Sequence, residues 1–591
     1  MVRRIFFIAF LIVLAFLLYL YPNFETIIAG VAILLFGIIM LEEGFRVFSK
    51  GPLQNILKKA TNKLYKSLSV GAVVTALIQS SSLVSVITIS FISAGLIDLA
   101  SGMGLVFGAN IGTTATTWLV AGFGLKIQIA ALALPMLVFG LVFSFQKTIE
   151  LKAVGNVLAG LGFFFLGIHY MKEGFDVFKQ YIDLTQYAIP GFFGVIVYTG
   201  IGIVITAVLQ SSSATMALIL TALSVGQIEY ENALAISVGA NVGSTITAII
   251  GSLSSNIAGK RLAGAHLIFN VVTAVVAIIF IYPLANLVRV IAEFLNIAAS
   301  DYTLKLALFH TIFNVLGVVL MIPFIKKLER VLMKLFKEQI DKDVDEPKYL
   351  NESVLEFPSA VISSLFKESE YLFKNAIFEI VAHALNIHRE DVISDLKIKA
   401  VVKKSTTDFN INVDDIYYKK VKTIYGEIIR YATTAESKLK LRKKQQKIIS
   451  DIKVANRKMI EIIKDVKELN RNISASFSHD NKDVQKEYDG FRKKLTMVLR
   501  TIYLFRTEEE SLKYAEILAQ LKQDAKAHIR KSNKSIDRLI RKDLITAEMA
   551  SSLFNDFTNV NQITKKLIEV AELLYSHKDV LLEEKVLNGE S

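Results

Sequence analysis

The chain contains one unit of sequence twice, and this repeat constrains its fold more than any other feature. Residues 75–114 and 206–245 align without gaps at a constant offset of 131, and 14 of the 40 positions are identical. The matched blocks are Gln-Ser-Ser-Ser (79–82 and 210–213), Gly-Ala-Asn-x-Gly (108–112 and 239–243) and, at an offset of 130, GIIMLEEGF (37–45) and GIHYMKEGF (167–175). Chance likeness between apolar helices would share Leu, Ile and Val rather than ordered polar blocks, so we expect two copies of one structural unit.

Charge divides the chain into two parts. Only 29 of the first 325 residues are Lys, Arg, Asp or Glu, against 92 of the remaining 266. Since soluble domains average about 25% charged residues, the first part suits a bilayer and the second suits water. The net charge of +13 does not require nucleic acid, because positively charged cytoplasmic loops give the same surplus.

Ten apolar stretches lie in the first part. Two of them, 68–97 and 199–228, are about 30 residues long and are interrupted near the centre by Gln-Ser-Ser-Ser, which predicts two half-helices meeting within the membrane. The others are long enough to span hydrocarbon once, and they are 5–21 (an uncleaved first span), 27–48, 101–122, 127–146, 153–178, 231–252, 262–283 and 305–325.

The order of these stretches predicts the topology. If each interrupted stretch enters and leaves on one side, a unit crosses the membrane three times, so the second unit is inverted. Lysines and arginines cluster on one predicted side, which makes that side and both termini cytoplasmic. The predicted fold is therefore all-α: a polytopic transport domain at 1–325 with inverted repeats at about 27–148 and 153–283, each holding a re-entrant helical hairpin.

The polar blocks offer ligands for two kinds of ion. A helix beginning at a break presents free N–H groups and its positive dipole end to an anion, and serine hydroxyls add donors. The Gly-Ala-Asn blocks supply carbonyl and hydroxyl oxygens of the kind that Na⁺ needs. Neither block contains Lys or Arg, so co-bound cations would offset an anion's charge, and the lack of acidic residues there favours Na⁺ over protons. The alternative is that the small hydroxyl residues only let helices pack closely.

The paired QSSS and GAN(I/V)G(S/T)T blocks resemble those of the type II sodium-dependent phosphate cotransporter family, over about residues 27–325. The resemblance implies Na⁺-coupled import of inorganic phosphate. It implies a phosphate site at Gln79, Ser80, Ser81, Ser82, Gln210, Ser211, Ser212 and Ser213. It implies sodium or nearby ligands at Thr75, Asn110, Thr113, Thr114, Thr206, Asn241, Ser244 and Thr245. The first block departs from the family pattern, continuing Leu83-Val84 where the second keeps Ala214-Thr215.

The charged part is predicted to be a linker at 326–357 followed by a cytoplasmic helical bundle at 358–591, since prolines are few and amphipathic periodicity is strong. It is weakly similar to the PhoU-type domain fused in bacterial members of the family. That similarity suggests regulation and a metal site at acidic residues four apart on a helix. Asp391 with Asp395 and Glu461 with Asp465 have that spacing.

Taken together, the sequence predicts an inner-membrane transporter rather than an enzyme, because it shows no nucleophile–base pair, Walker loop or metal-ligand cluster. The expected partners are phosphate, Na⁺ as coupling ion and the lipid bilayer, with no organic cofactor and no nucleic acid. His266 and His310 lack ligand spacing, which favours packing or hydrogen bonding between helices. Another oxyanion, another coupling ion, a membrane phosphate sensor, a homo-oligomer and a regulatory partner of the cytoplasmic domain stay open.

Overall fold

The structure is a computed structural model. It describes residues 24–48, 63–125, 129–253, 255–337, 346–355, 357–405, 409, 413–439, 441–477, 480–507 and 511–575. Every regular element in these ranges is helical, so the all-α prediction is confirmed for the described chain. The predicted first span at 5–21 lies outside these ranges.

The chain divides into two compact units, residues 1–338 and 339–591. The α-helices of the first unit are α1 (Glu25–Phe48), α2 (Leu64–Ile78), α3 (Ser81–Ser93), α4 (Leu99–Gly112), α5 (Thr114–Leu119), α6 (Ile129–Ser144), α7 (Ile149–Lys179), α8 (Gly191–Leu209), α9 (Ser212–Ser224), α10 (Tyr230–Ser252), α11 (Ile257–Ile279), α12 (Ile281–Phe294), α13 (Tyr302–Met321) and α14 (Ile325–Leu335). Six helical stretches of the described chain are long and apolar enough to cross a membrane, and they are Glu25–Phe45, Ile149–Lys179, Gly191–Leu209, Tyr230–Ser252, Ile257–Ile279 and Tyr302–Leu335. The first unit is therefore that of a membrane protein.

The predicted span at 101–122 is helical throughout but locally irregular, since Thr113 between α4 and α5 keeps a helical backbone (φ −62°, ψ −24°) and its N–H bonds to the Ala109 carbonyl. α4 ends at Gly112, α5 begins at Thr114, and a π-helix follows at Val120–Gly124. The matching stretch of the second repeat is the uninterrupted helix α10. The two copies therefore differ after their Gly-Ala-Asn blocks, where the first has the threonine-rich sequence TTATT.

Helices α1 and α7, which carry the matched Glu-Gly-Phe blocks, pack against each other in opposite directions. Gly30 lies against Gly167 and Met171, whereas Gly37 lies against Gly160 and Phe164. A Cβ atom on Gly37 would come within 2.4 Å of the Phe164 backbone nitrogen. Glycines spaced seven apart on both helices thus allow a close antiparallel approach, which is the role of small residues in membrane helix packing.

A second close pairing occurs once in each repeat. Gly108 of α4 lies against the Leu68 carbonyl of α2, and Gly239 of α10 lies against the Thr199 carbonyl of α8. The contacting positions differ by 131 in both cases, so the two copies fold alike around these blocks. Each Gly-Ala-Asn helix is held directly beside the helix that leads into its Gln-Ser-Ser-Ser block.

The second unit is a bundle of amphipathic helices. Its α-helices are α15 (Pro358–Leu372), α16 (Phe378–Ala384), α17 (Arg389–Ile393), α18 (Ile398–Lys404), α19 (Val413–Ile416), α20 (Lys422–Lys438), α21 (Lys443–Phe477), α22 (Lys482–Thr507), α23 (Ser511–Arg541) and α24 (Ala547–Tyr575). A π-helical turn, Phe373–Ile377, joins α15 to α16.

The segment predicted as a linker at 326–357 is largely incorporated into the two units. Its first residues form α14, whose Leu328 and Leu332 are buried in the first unit. Residues 346–355 belong to the second unit, where the Glu368 carboxylate accepts a 2.6 Å hydrogen bond from the Tyr349 N–H. The Tyr431 hydroxyl donates a 2.8 Å bond to the Asn351 carbonyl. The first end of this segment is thus held by the buried apolar side chains of α14, and the second end by hydrogen bonds to Glu368 and Tyr431.

Candidate functional site

Both Gln-Ser-Ser-Ser blocks interrupt a helix at the same residue. Gln79 ends α2 with a φ of 61°, and Gln210 ends α8 with a φ of 53°, the left-handed conformation that stops a helix. The next serine then caps a new helix: Ser80 accepts a 3.2 Å bond from the Leu83 N–H, and Ser211 accepts a 3.2 Å bond from the Ala214 N–H. The dipeptide Gln-Ser therefore ends one helix and begins the next within two residues.

The two breaks are joined by one threonine. The Thr116 hydroxyl donates a 2.7 Å hydrogen bond to Oε1 of Gln79, in the first block. Ser213, in the second block, donates a 3.3 Å bond to the same Thr116 hydroxyl. The structure thus brings the two blocks, 131 residues apart in sequence, within two hydrogen bonds of each other.

The two breaks differ in burial. Ser80, Ser212 and Ser213 are buried with Thr116, whereas Gln79, Ser81, Ser82 and Ser211 are half-buried and Gln210 is exposed. Ser80 and Ser82 lie 3.2 Å apart, oxygen to oxygen. The N–H groups of the first turns of α3 and α9 have no carbonyl partner within their helices. The two Gln-Ser-Ser-Ser blocks together with Thr116 are called the tip cluster below.

The asparagines of the Gly-Ala-Asn blocks occupy two matching buried networks. Asn110 donates a 3.1 Å bond to Oδ1 of Asn270 and accepts one of 3.4 Å from Nε2 of His266. Asn241 donates a 2.7 Å bond to Oδ1 of Asn314 and accepts one of 3.2 Å from Nε2 of His310. The prediction that these histidines bond between helices is confirmed.

The partners of these asparagines form a second internal repeat that the sequence analysis missed. His266 to Asn270 reads HLIFN and His310 to Asn314 reads HTIFN, 44 residues further on. The spacing of four places histidine and asparagine on one helix face, where both reach the same amide. The two motifs were detectable as a repeated His-x-Ile-Phe-Asn pattern, although their offset differs from that of the main repeat.

The two networks are not equivalent at the second histidine nitrogen. The Thr117 hydroxyl lies 2.9 Å from Nδ1 of His310, so α5 of the first repeat is tied to the network of the second. Nδ1 of His266 is buried without a partner. The position matching Thr117 in the second repeat is Ala248, which has no hydroxyl to offer.

A similar difference surrounds Thr75 and Thr206. The Thr206 hydroxyl donates a 2.9 Å bond to the Thr215 hydroxyl, whereas the hydroxyl of Thr75 is buried with no partner. The residue matching Thr215 is Val84, the position where the first block departs from the family pattern. Because Val84 lacks the hydroxyl that Thr215 has, the buried Thr75 hydroxyl beside the first break has no hydrogen-bond partner.

The remaining predicted ligands bond within their own helices. Four hydroxyls donate at 2.6–2.8 Å to carbonyls three residues earlier, and these are Thr113, Thr114, Ser244 and Thr245. A hydroxyl that donates in this way keeps lone pairs that can accept a bond or bind a cation. Among the described residues the tip cluster contains no Lys or Arg, so an anion there would meet only neutral donors and helix ends.

The acidic pairs of the second unit have other partners. α17 ends at Ile393, so Asp391 and Asp395 do not share a helix, and Asp391 lies 3.3 Å from Nζ of Lys404. Glu461 and Asp465 both face Lys566, at 3.4 and 2.7 Å. In the described part of the chain, no group of three or more His, Asp or Glu could hold a metal ion.

These features define a class: a helical membrane protein whose internal repeat places two serine-capped helix breaks around a shared hydroxyl cluster. The Na⁺/Pi-cotransporter family matches residues 33–173 and 194–335. The chain is 30% identical over 268 residues to "Uncharacterized protein YqeW" of Bacillus subtilis, covering 82% of that protein and 43% of this chain. The chain therefore belongs to the Na⁺/Pi-cotransporter family.

Two other relatives carry names that refer to phosphate. "Putative inorganic phosphate export protein YjbB" of Salmonella typhimurium is 27% identical over 347 residues, and the match covers 58% of this chain and 61% of that protein. "Sodium-dependent phosphate transport protein 2A" of Oryctolagus cuniculus is 44% identical over 54 residues, covering 9% of this chain and 8% of that protein. No solved structure matches the chain.

Proposed function

We propose that the protein is a sodium-coupled secondary transporter that carries inorganic phosphate across the inner membrane by alternating access. The observation that carries the proposal is the link from Gln79 through Thr116 to Ser213, which brings both helix breaks into one cluster. Ligand sites of secondary transporters are built in this way, from broken helices of two repeats.

Phosphate suits the tip cluster because its donors converge from two helix ends. The proposed phosphate ligands are the two Gln-Ser-Ser-Ser blocks, whose first-turn N–H groups and hydroxyls are the donors. The cluster supplies no fixed positive charge, and transferring a divalent anion out of water without one is costly. A co-bound Na⁺ at the hydroxyl and carbonyl oxygens beside Asn110 and Asn241 would offset that cost. Phosphate and sodium would therefore bind together.

The proposed alternating access rests on two opposed repeats. The antiparallel packing of α1 and α7, the matched first helices of the repeats, supports an inverted arrangement. In that arrangement the lysine-rich loops and both termini face the cytoplasm. A conformational change that moves one repeat against the other would then expose the tip cluster to each side in turn.

The direction of transport follows from the ion gradient in this mechanism. An inward Na⁺ gradient drives import, which is the direction that we propose. The name of the Salmonella relative favours a second candidate, phosphate export. Proteoliposomes with the Na⁺ gradient set inward and then outward separate the two, because a coupled transporter follows the gradient and a dedicated exporter does not.

The site assignment is tested by Ser81→Ala and Ser212→Ala, singly and together. Each removes one hydroxyl next to a break, and we expect phosphate affinity to fall about tenfold for each, as labelled phosphate binding to the purified protein would measure. Ser144→Ala is the matched control, since the Ser144 hydroxyl donates only to the Gly140 carbonyl of its own helix, at 2.8 Å. Unchanged affinity in the double variant would show that the blocks are packing elements.

A further inference from the structure

Helix α14 extends the last membrane-spanning stretch beyond the length that a bilayer needs. α13 alone has 20 residues and is about 30 Å long, which is the thickness of the hydrocarbon core. A 3₁₀ turn at Ile322–Phe324, which contains Pro323, separates it from α14. The whole stretch Tyr302–Leu335 is therefore about 20 Å longer than the hydrocarbon, and its charged end, α14, reaches a membrane surface.

One face of α14 is fixed to the first unit. Ile325, Leu328 and Leu332 are buried, at the spacing of three and four residues that marks one side of a helix. Just beyond the end of the helix, the Arg261 guanidinium of α11 donates two hydrogen bonds, of 3.1 and 2.7 Å, to the Phe336 carbonyl. α14 is thus a packed element of the fold, and its outward side chains keep a defined direction.

The side of α14 that faces away from the unit is basic. Lys326, Arg330 and Lys334 follow one another at intervals of four, so they form a line along the helix, and all three are exposed. Lys327 lies beside this line and is also exposed. None of these four cations forms an ion pair with a described residue, and Glu329 is the one acidic residue of the helix. Such a line of uncompensated positive charges attracts an anionic surface.

Exposed apolar side chains border the basic line. Val331 and Leu335 lie four residues apart, between the buried face and the basic line, and are 41% and 66% exposed. Phe324, in the turn before the helix, is 50% exposed. A helix with a basic outer side next to an exposed apolar edge suits the boundary between lipid head groups and acyl chains, where each side meets its own medium.

We propose that α14 is a binding surface for anionic phospholipids, with Lys326, Arg330 and Lys334 on the lipid phosphates and with Val331 and Leu335 among the upper acyl carbons. A soluble anion would match the charges but would leave the apolar edge in water. An acidic protein surface would match the charges too, but α14 follows a membrane-spanning helix after only three residues and so lies beside head groups. The proposal does not depend on phosphate transport, since it concerns the outer surface of the first unit.

The test uses the absence of cysteine from the chain. Leu335→Cys introduces a single thiol, which is labelled with bimane in the full-length protein and placed in nanodiscs. The discs contain equal amounts of phosphatidylcholine and phosphatidylglycerol, and only one of the two lipids carries bromine on its acyl chains, which quenches a nearby fluorophore. We expect brominated phosphatidylglycerol to quench about twofold more strongly than brominated phosphatidylcholine, because the basic line enriches the anionic lipid.

Neutralising the basic line should remove this preference. With Lys326→Gln, Arg330→Gln and Lys334→Gln added together to the labelled protein, the two brominated lipids should quench equally. Lys326→Arg with Lys334→Arg is the matched control, which keeps the charges and should keep the preference. A label at Val138→Cys, on the exposed side of α6, reports a lipid-facing position away from the basic line and should show no preference.

The outcomes are separated as follows. Thermal unfolding shows whether each variant folds, and a salt titration of the labelled Leu335→Cys protein tests the charges without further substitution. At about 1 M NaCl, where the Debye length is about 3 Å, the preference should disappear. A preference that persists in high salt or in the folded neutral variant overturns the role of the basic line. Equal quenching at Leu335→Cys overturns the assignment to anionic lipid, and no quenching by either lipid shows that α14 does not contact the bilayer.

Discussion

Thr116 donates a 2.7 Å hydrogen bond to the side-chain carbonyl of Gln79, and this bond connects the first helix break to the rest of the tip cluster. The same hydroxyl accepts from Ser213 of the second break, at 3.3 Å. Thr116 is therefore the residue that links the two helix breaks by hydrogen bonds. Its counterpart in the second repeat, Thr247, bonds at 2.8 Å to the Ser244 carbonyl of its own helix.

Thr116→Val should weaken phosphate transport because it removes both bonds of this link while conserving side-chain shape. We expect the KM for phosphate to rise about tenfold, which corresponds to a loss of about 1.4 kcal/mol. Thr247→Val is the matched control and should change KM by less than twofold. The measurement is phosphate uptake into proteoliposomes at varied phosphate and fixed Na⁺. Equal effects of the two substitutions would contradict a special role of Thr116.

Val84→Thr should stabilise the membrane unit. The new hydroxyl would stand where Thr215 stands in the second repeat and would give the buried Thr75 hydroxyl a partner. We expect about 1 kcal/mol of added stability, the usual net value of one hydrogen bond, and a higher unfolding temperature in detergent. Thr215→Val should have the reverse effect, because it leaves Thr206 unpartnered. A lower unfolding temperature for Val84→Thr would show that the hydroxyl does not reach Thr75.

His310→Ala should destabilise the protein more than His266→Ala. Both side chains are buried and each bonds to an asparagine of a Gly-Ala-Asn block. The two substitutions should therefore lose similar free energy of unfolding through the cavity that each leaves. Only His310 has a second bond, to Thr117. We expect a difference of about 1 kcal/mol in the free energy of unfolding, measured by denaturant titration of both variants side by side. Indistinguishable losses would mean that the bond to Thr117 contributes nothing.

Glu368 should make the second unit less stable as pH rises. Burial raises the pKa of this carboxyl, even though the backbone N–H groups of residues 348–350 favour the charged form and lower it. An acid whose pKa is higher in the folded state than in the unfolded state binds its proton more tightly when folded. Stability is thus highest below the unfolded pKa, falls as pH rises toward the folded pKa, and then levels off.

Glu368→Gln should remove this pH dependence. We expect the variant to gain stability relative to the wild type as pH rises above the ordinary pKa of a glutamate, as unfolding temperatures at several pH values would measure. Glu352→Gln is the control, since that carboxylate is exposed and pairs with Arg430 at 3.4 Å. A constant difference between Glu368→Gln and wild type across this range would show that Glu368 does not titrate there.

The sequence was sufficient to locate the helix breaks because their code is local. A glutamine that adopts a left-handed conformation and a capping serine act within two residues, and the repeat showed the same code twice. Partners on other helices, such as Thr116 and His310, could not be predicted, because which helix faces meet depends on the packing of the whole unit. The His-x-Ile-Phe-Asn pattern was present in the sequence, but nothing local identified its partner.

Other predictions depended on assumptions that a single sequence does not test. The spacing of Asp391 and Asp395 suggested one helix face, yet α17 ends between them at Ile393. Residues four apart in sequence share a helix face only where both lie on the same continuous helix. The apolar stretch at 101–122 is helical as predicted, but the sequence did not predict the irregularity at Thr113 or the π-helix that follows at Val120–Gly124.

The central claim, that phosphate movement is coupled to sodium through the paired breaks, is tested most directly in proteoliposomes that contain the purified full-length protein. Uptake of labelled phosphate is followed under an inward Na⁺ gradient and then with Na⁺ replaced by K⁺. We expect phosphate to accumulate above its external concentration with Na⁺ and only to equilibrate slowly with K⁺. Equal accumulation with both cations, or none with either in protein shown to be folded, would contradict the account.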